Sequence, residues 1–204
     1  MWFLTQEGVD RYDGKYIKHY NFSDDSIKLD SRIALNWLYM DSGNILWVIG
    51  QKGRIFRYDS QHDKFELAYV HPELIRNKPQ AFLNYGYLDK NDRIWLCYKD
   101  SITWYDIRTG TTLHMPTPVN GEITAIEQTD DNHFFIGTGS GLFHARIEKG
   151  KLNIMPDKMM EGIGTSVHEL YYHAVSKQLF VGNYWKIQCK LPPKTKRFCP
   201  LVLK

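Results

Sequence analysis

The chain has 204 residues, enough for one all-β domain, with 14% aromatic residues and a formal net charge of +3. So weak and dispersed a charge argues against a nucleic-acid surface, and no stretch approaches the ~18 apolar residues of a membrane-spanning helix. The three cysteines, Cys97, Cys189 and Cys199, have neither CxxC nor His-paired zinc spacing. Buried free thiols are expected, with a Cys189–Cys199 bridge as the alternative.

In chain order, an aromatic residue recurs at the head of a short apolar run: Trp2, Trp47, Trp95, Phe135 and Phe180, separated by 45, 48, 40 and 45 residues. Six residues after each aromatic stands Gly8, Gly53, Ser101, Gly141 or Lys186, followed by an apolar residue. A fixed period of this length is the mark of repeated supersecondary units. Each unit reads as a hairpin, strand b and strand c, around a polar or Gly-rich tip. A turn follows (Asp13-Gly14-Lys15, Ser60 to Asp63, Thr109-Gly110, Lys149-Gly150, Pro193-Lys194), then a short strand d. All units but the first are preceded by another β-run, strand a: ALNWLYMD, AFLNYGYLDK, EITAIEQTDD and VHELYYHAVS. The a–b turns are rich in Asp, Asn and Gly.

The unit is therefore a four-stranded antiparallel meander, and radial arrays of such units make a β-propeller. The b runs are continuous rather than alternating, as expected for strands covered on both faces; their length, β-branching and bounding turns favour strand over buried helix. The expected units are residues 1–22, 34–69, 80–115, 122–155 and 166–201 of a single segment, 1–204. One buried Trp per unit would bury ~150–250 Å², a packing role rather than a ligand contact. The first unit lacks strand a, and three residues after Leu201 are too few for a strand. Four to five blades of a larger propeller are expected; a five-bladed ring with an incomplete first blade is the alternative. No leader peptide is expected before Trp2, where strand b begins at once.

The b–c hairpins carry a signature. Trp2-Phe3-Leu4-Thr5-Gln6-Glu7-Gly8-Val9, running on to Tyr12-Asp13-Gly14, resembles the two-component regulator propeller repeat, and Phe135-Ile136-Gly137-Thr138-Gly139-Ser140-Gly141-Leu142 resembles it too. The repeat's Thr is replaced by Gly50, Tyr98 and Asn183, its Gly by Ser101 and Lys186, and the last unit is the most eroded. The resemblance spans essentially the whole chain. It implies a seven-bladed propeller in the periplasmic sensor region of an inner-membrane hybrid histidine kinase, responding to oligosaccharides and dimeric in the full-length protein. The partners implied are an oligosaccharide and the remainder of the same protein. Any kinase activity would lie outside this chain, and no cofactor or metal is expected.

Meander geometry puts the b–c tips and d–a connections on one face, where loops on a rigid scaffold carry binding residues. The candidate ligand residues there are Gln6, Gln51, Lys52, Tyr98, Lys99, Tyr184 and Trp185. Tyr184 and Trp185 are adjacent aromatics at a tip, suited to a sugar ring if exposed, and Tyr98 is a weaker case. Gln6, Gln51 and Lys52 suit hydroxyls or a uronic carboxylate. No catalytic residue is expected: the eight histidines form no Ser-His-Asp spacing, and His168 and His173 lie on one strand with odd spacing. Two alternatives stand beside the sensor. A glycan hydrolase or lyase would need two carboxyls facing one cleft, and a protein-binding scaffold would need no small ligand.

Overall fold

The computed structural model describes residues 1–5, 7–22, 35–50, 52–72, 82–117, 119, 121–156, 166–183, 187–190 and 199–201, the last two stretches as backbone alone. It is all-β, with every strand in an antiparallel meander or its equivalent order. The first sheet is β1 (Trp2–Leu4), β2 (Val9–Tyr12) and β3 (Ile17–Tyr20). The second is β4 (Leu35–Met40), β5 (Leu46–Gly50), β6 (Ile55–Asp59) and β7 (Lys64–Tyr69). The third is β8 (Tyr85–Leu88), β9 (Arg93–Cys97), β10 (Ser101–Asp106) and β11 (Thr112–Pro116). The fourth is β12 (Ile123–Asp130), β13 (His133–Thr138), β14 (Gly141–Glu148) and β15 (Lys151–Pro156). The fifth is β16 (Glu169–His173), β17 (Gln178–Gly182), β18 (Ile187–Lys190) and β19 (Cys199–Leu201).

Burial falls from the second strand outward. All five residues of β5 are buried, whereas β7 and β11 are mostly exposed. That gradient explains the continuous apolar runs of the b strands: both faces are covered, so period-2 alternation is lost. The turns expected from sequence are tight. Asn44, Asp63, Asp92, Lys149 and Lys177 take positive φ between 49° and 61°; Asn and Asp adopt this region more readily than other non-Gly residues.

Contacts divide the chain into two compact units. One comprises Met1–Leu88, Asp92–Leu96 and Thr103–Leu113; the other comprises Asp89–Asn91, Cys97–Ile102 and His114–Lys204. In the first, Val9, Tyr20, Phe22, Leu35, Val48 and Phe56 form a core edged by Trp2, Leu38, Tyr58 and Phe65. Trp47 and Trp95 are 3% and 0% exposed, so these two repeat aromatics are packing residues. Trp47 also donates its indole N–H to Asp41 Oδ2 (2.8 Å), the same side chain that closes the β4–β5 turn by accepting from Gly43 and Ile45. In the second unit, Leu142, Val167, Leu179 and Val181 pack with Phe135, Leu170 and Tyr172. Cys97 is buried and free, and burial pushes its thiol well above the ordinary range. Cys189 and Cys199 face each other in the β18–β19 register; their side chains lie outside the described residues.

A polar clip joins the first two sheets. Asp63, in the β6–β7 turn, accepts from Arg11 (2.8 Å), Lys18 (2.5 Å), Tyr20 (2.6 Å) and Tyr58 (2.5 Å). The hydrogen bonds from Lys18, Tyr20 and Tyr58, with the Arg11 charge, hold its carboxyl far below the usual carboxylate range. A depressed folded-state pKa contributes stability that is present above the unfolded value of ~3.9 and is lost as pH falls toward the folded value. Asp63→Asn is therefore expected to lower the melting temperature at pH 7, with the gap to the parent protein narrowing progressively below about pH 4. Thermal melts across that range check this; a gap that stays constant with pH would assign the effect to shape rather than charge.

Candidate functional site

The repeat's Thr and Gly build the b–c tips. Thr5 Oγ1 donates to the Gly8 carbonyl (3.1 Å) and accepts from the Glu7 and Gly8 amides. Thr138 acts likewise at the β13–β14 tip of the fourth sheet: its hydroxyl donates to the Gly141 carbonyl (3.1 Å) and accepts from the Ser140 amide (3.1 Å). A hydroxyl two to three residues from its backbone partners satisfies amides that the tight turn would otherwise leave open. The backbone closes tips with and without the Thr: Thr5 N itself donates to Gly8 O (2.9 Å). Gly53 N donates to Gly50 O (2.9 Å), and Tyr98 N donates to Ser101 O (2.8 Å). The tips are thus preformed with or without the signature residue.

On the tip face of the second unit lies a cleft of about 280 Å³, lined by Lys99, Asp100, Thr117, Val119, Gly121 and Glu122. Lys99 and Asp100 come from the β9–β10 tip and the other four from the β11–β12 connection. The two segments are tied by Thr117 N donating to Asp100 O (3.0 Å), and the connection is tied to the β13–β14 tip by Gly139 N donating to Glu122 O (3.4 Å). Gly121 takes φ +109°, a conformation that favours glycine, and its bare Cα faces Ser140. The side chains of Lys99, Asp100 and Glu122 are exposed and make no hydrogen bond or ion pair among the described residues, and the buried Thr117 hydroxyl has no partner there either. Three charges of mixed sign and one unsatisfied hydroxyl around one cleft can bond a polyhydroxylated ligand through both donors and acceptors.

The sequence-derived candidates divide as follows. Lys99 lines the cleft. Tyr98, beside it, is 6% exposed, so its ring is packed inside and offers no stacking surface, contrary to the expectation of an exposed aromatic tip. It occupies the place of the tip Thr, where the side chain points back into the sheet. Lys52 is half-buried at the β5–β6 tip in the other unit. Gln6, Gln51, Tyr184 and Trp185 lie outside the described residues. Thr117, Gly121 and Glu122 were not singled out from sequence; the turn-rich run Pro116 to Gly121 was the available signal.

The histidines make local pairs. His19, His62 and His133 lie 2.5, 2.5 and 2.6 Å from Asp10, Asp59 and Asp130 of the same sheet or turn. Ser166 Oγ lies 2.7 Å from His168 Nε2, a contact between residues two apart that spacing alone did not suggest. Among the described residues no group of three or more His, Cys, Asp or Glu side chains is placed to hold a metal. No described helix is long and apolar enough to cross a membrane.

No protein-family profile matches the chain, and no curated protein matches it in sequence. Solved structures do match. The extracellular domain of a protein described as a hybrid two-component system from B. thetaiotaomicron superposes with TM-score 0.70 at 20% identity, over 97% of this chain and 28% of that one. A second extracellular domain from B. thetaiotaomicron, described as belonging to a one-component system, gives TM-score 0.69 at 16% identity over 93% of this chain and 26% of that one. Virginiamycin B lyase from Staphylococcus aureus gives TM-score 0.71 at 16% identity over 100% of this chain and 67% of that one. The chain thus spans about a quarter of the length of the two extracellular domains it matches. At these identities the likeness establishes the fold, a β-propeller type of four-stranded antiparallel sheets, and leaves function to the site.

Proposed function

We propose that the chain is a non-catalytic, ligand-sensing part of the periplasmic sensor region of a hybrid two-component histidine kinase, and that the ligand is an oligosaccharide. The observation that carries this reading is the tip-face cleft, where the side chains of Lys99, Asp100 and Glu122 and the Thr117 hydroxyl converge without partners among the described residues. Two further observations support it. The tip hydrogen bonds of Thr5 and Thr138 give the repeat signature a physical basis, and bacterial extracellular sensor domains share the fold. Ligand held at rigid tips would act by favouring one arrangement of the attached signalling parts, so that binding free energy is converted to a shift in population. Homodimerisation of the full-length protein would let one binding event bias two kinases. Fixing the site before ligand arrives keeps the ordering cost of binding small.

The test is calorimetric titration of the purified protein with a panel of neutral and uronic oligosaccharides, with product analysis of the same mixtures. Saturable binding without cleavage is expected. Lys99→Ala and Asp100→Ala are each expected to weaken it about tenfold or more, the cost of one hydrogen bond to a charged group. The virginiamycin B lyase likeness motivates the opposing outcome: turnover of the ligand, lost on Ser166→Ala or Glu122→Gln, would replace the sensor with an enzyme.

A further inference from the structure

The tip-face cleft is small, and its charges do not cancel. At about 280 Å³ it stands at the lower end of ligand pockets, ~300–1,000 Å³, and has room for one sugar ring rather than a run of them. Two carboxylates, Asp100 and Glu122, and one ammonium, Lys99, line it. Lys99 forms no ion pair with either acid among the described residues, so neither carboxylate is neutralised there. The cleft is left with one negative charge in excess. Between the charged groups the lining is Val119, which is 6% exposed, and Gly121, which carries no side chain. The two acids arrive on different segments, and each segment is anchored through the backbone of the acid itself. Asp100 O accepts from Thr117 N (3.0 Å), and Glu122 O accepts from Gly139 N (3.4 Å).

The donor and acceptor inventory decides which ring fits best. Ionised Asp100 and Glu122 only accept hydrogen bonds, and Lys99 only donates. A neutral ring can meet all three through its hydroxyls, but it leaves the excess charge in place. A uronic ring brings a further carboxylate, which Lys99 favours and both acids oppose; like charges set together suppress the wrong ligand. An amine-bearing ring brings an ammonium with donors alone, and its hydrogen bonds to a carboxylate are charge-assisted, about twice as strong as those of a hydroxyl. It also brings the cleft to neutrality. Its other hydroxyls remain for Lys99 and for the buried Thr117 hydroxyl, which has no partner among the described residues.

We infer that the cleft lined by Lys99, Asp100, Thr117 and Glu122 selects an oligosaccharide ring bearing a free amine, in its ammonium form, over neutral and uronic rings. This rests on the oligosaccharide reading of the same cleft and names the chemistry of the ring it takes. Asp100 and Glu122 accept from the ammonium, and Lys99 donates to hydroxyl oxygens. Both acids are exposed, so each charge pair is worth up to about fivefold in affinity and is weakened by salt. Two such pairs give a preference of about tenfold at low ionic strength.

The test is calorimetric titration of the full chain with two trisaccharides that differ in one group, the glucosamine trimer and its fully N-acetylated form. A neutral glucose trimer and a galacturonic acid trimer complete the set. The glucosamine trimer is expected to bind about tenfold more tightly than the other three at low ionic strength, with the gap closing at about 0.5 M salt, where charges are screened within a few Å. Glu122→Gln and Asp100→Asn, both changes of exposed side chains, are each expected to cut the preference about fivefold. Lys99→Ala is expected to weaken every trimer while the preference for the amine persists. Equal affinity for the glucosamine and N-acetylated trimers, tighter binding of the uronic trimer, or a preference that survives both acid substitutions overturns the inference. The two readings fail separately. Saturable binding of neutral or uronic trimers with no preference for the amine overturns the selection and leaves the sensor standing. Cleavage of the glucosamine trimer with the preference intact upholds the selection and replaces the sensor with an enzyme. No binding of any trimer overturns both.

Discussion

Trp95→Ala is expected to destabilise the protein by about 3–5 kcal/mol, the range for removing a large aromatic from a closed core. Trp95 is 0% exposed on β9, between Ile94 and Leu96, which are 0% exposed as well. Its ring packs against Trp104 of β10 at 5.0 Å between centroids. Neighbours held in two hydrogen-bonded strands cannot collapse into the space left behind, so the cavity cost adds to the lost transfer energy. Urea unfolding of the two proteins measures the difference. A loss below about 1 kcal/mol would mean that the site relaxes freely, which a fully buried strand should not allow. Phe3→Ala, on the exposed side of β1, is the control and is expected to stay within about 0.5 kcal/mol.

Gly8→Ala is the second large effect. A Cβ at Gly8 would lie 2.2 Å from the Tyr20 carbonyl oxygen and 3.1 Å from His19 Cε1. The nearer atom is backbone of β3, so relief requires β2 and β3 to move apart, not a side chain to rotate. The Val9–Tyr20 pairing and the core around Val9 would be disturbed with it. The expected cost is about 3 kcal/mol, at the upper end for overpacking. Gly139→Ala is the contrast: nothing lies within 4 Å of its Cβ position and its backbone is outside the left-handed region. That change is expected to be neutral or slightly stabilising, because alanine restricts the unfolded chain more than glycine. Equal losses at the two glycines would show that the repeat glycine is kept for chain flexibility instead of close approach.

The contrast shows how the repeat signature works. Its Gly has different physical reasons at different tips: close approach of a neighbouring strand at Gly8, and positive φ at Gly53 (78°) and Gly141 (142°). Ser101 stands in the same place of the third sheet, where the tip closes through Tyr98 N and Ser101 O. A pattern read from residue types alone cannot distinguish these cases, since each needs the position of a second strand. The Thr is more uniform: at Thr5 and Thr138 the hydroxyl makes the same local bonds, which is why it survives as a recognisable letter.

The candidate site was legible only in part for a related reason. Lys99 was identified because it sits at a tip, a local property of the hairpin. Tyr98 was misjudged because hairpin spacing does not tell whether the aromatic at the end of a b strand turns outward or completes the core; here it is buried. Thr117 and Glu122 join Lys99 only through the Thr117–Asp100 backbone bond, which brings together segments seventeen residues apart. Asp63 was read as a turn residue, which it is, with φ +49°. Its role as acceptor for Arg11, Lys18 and Tyr20 arises because another sheet places those groups against it.

What the sequence determined by itself was the β-unit: the period of the aromatics, the strand–tip–strand–turn order and the all-β class. These follow from short-range rules, because turn chemistry and apolar runs act within a few residues. What the tertiary structure decided was which faces meet: that Trp47 and Trp95 are enclosed, that Tyr98 is inside, and that Asp63 is a hub. Those outcomes depend on partners up to 52 residues away in the chain, and the free energy of such a contact belongs to neither partner alone.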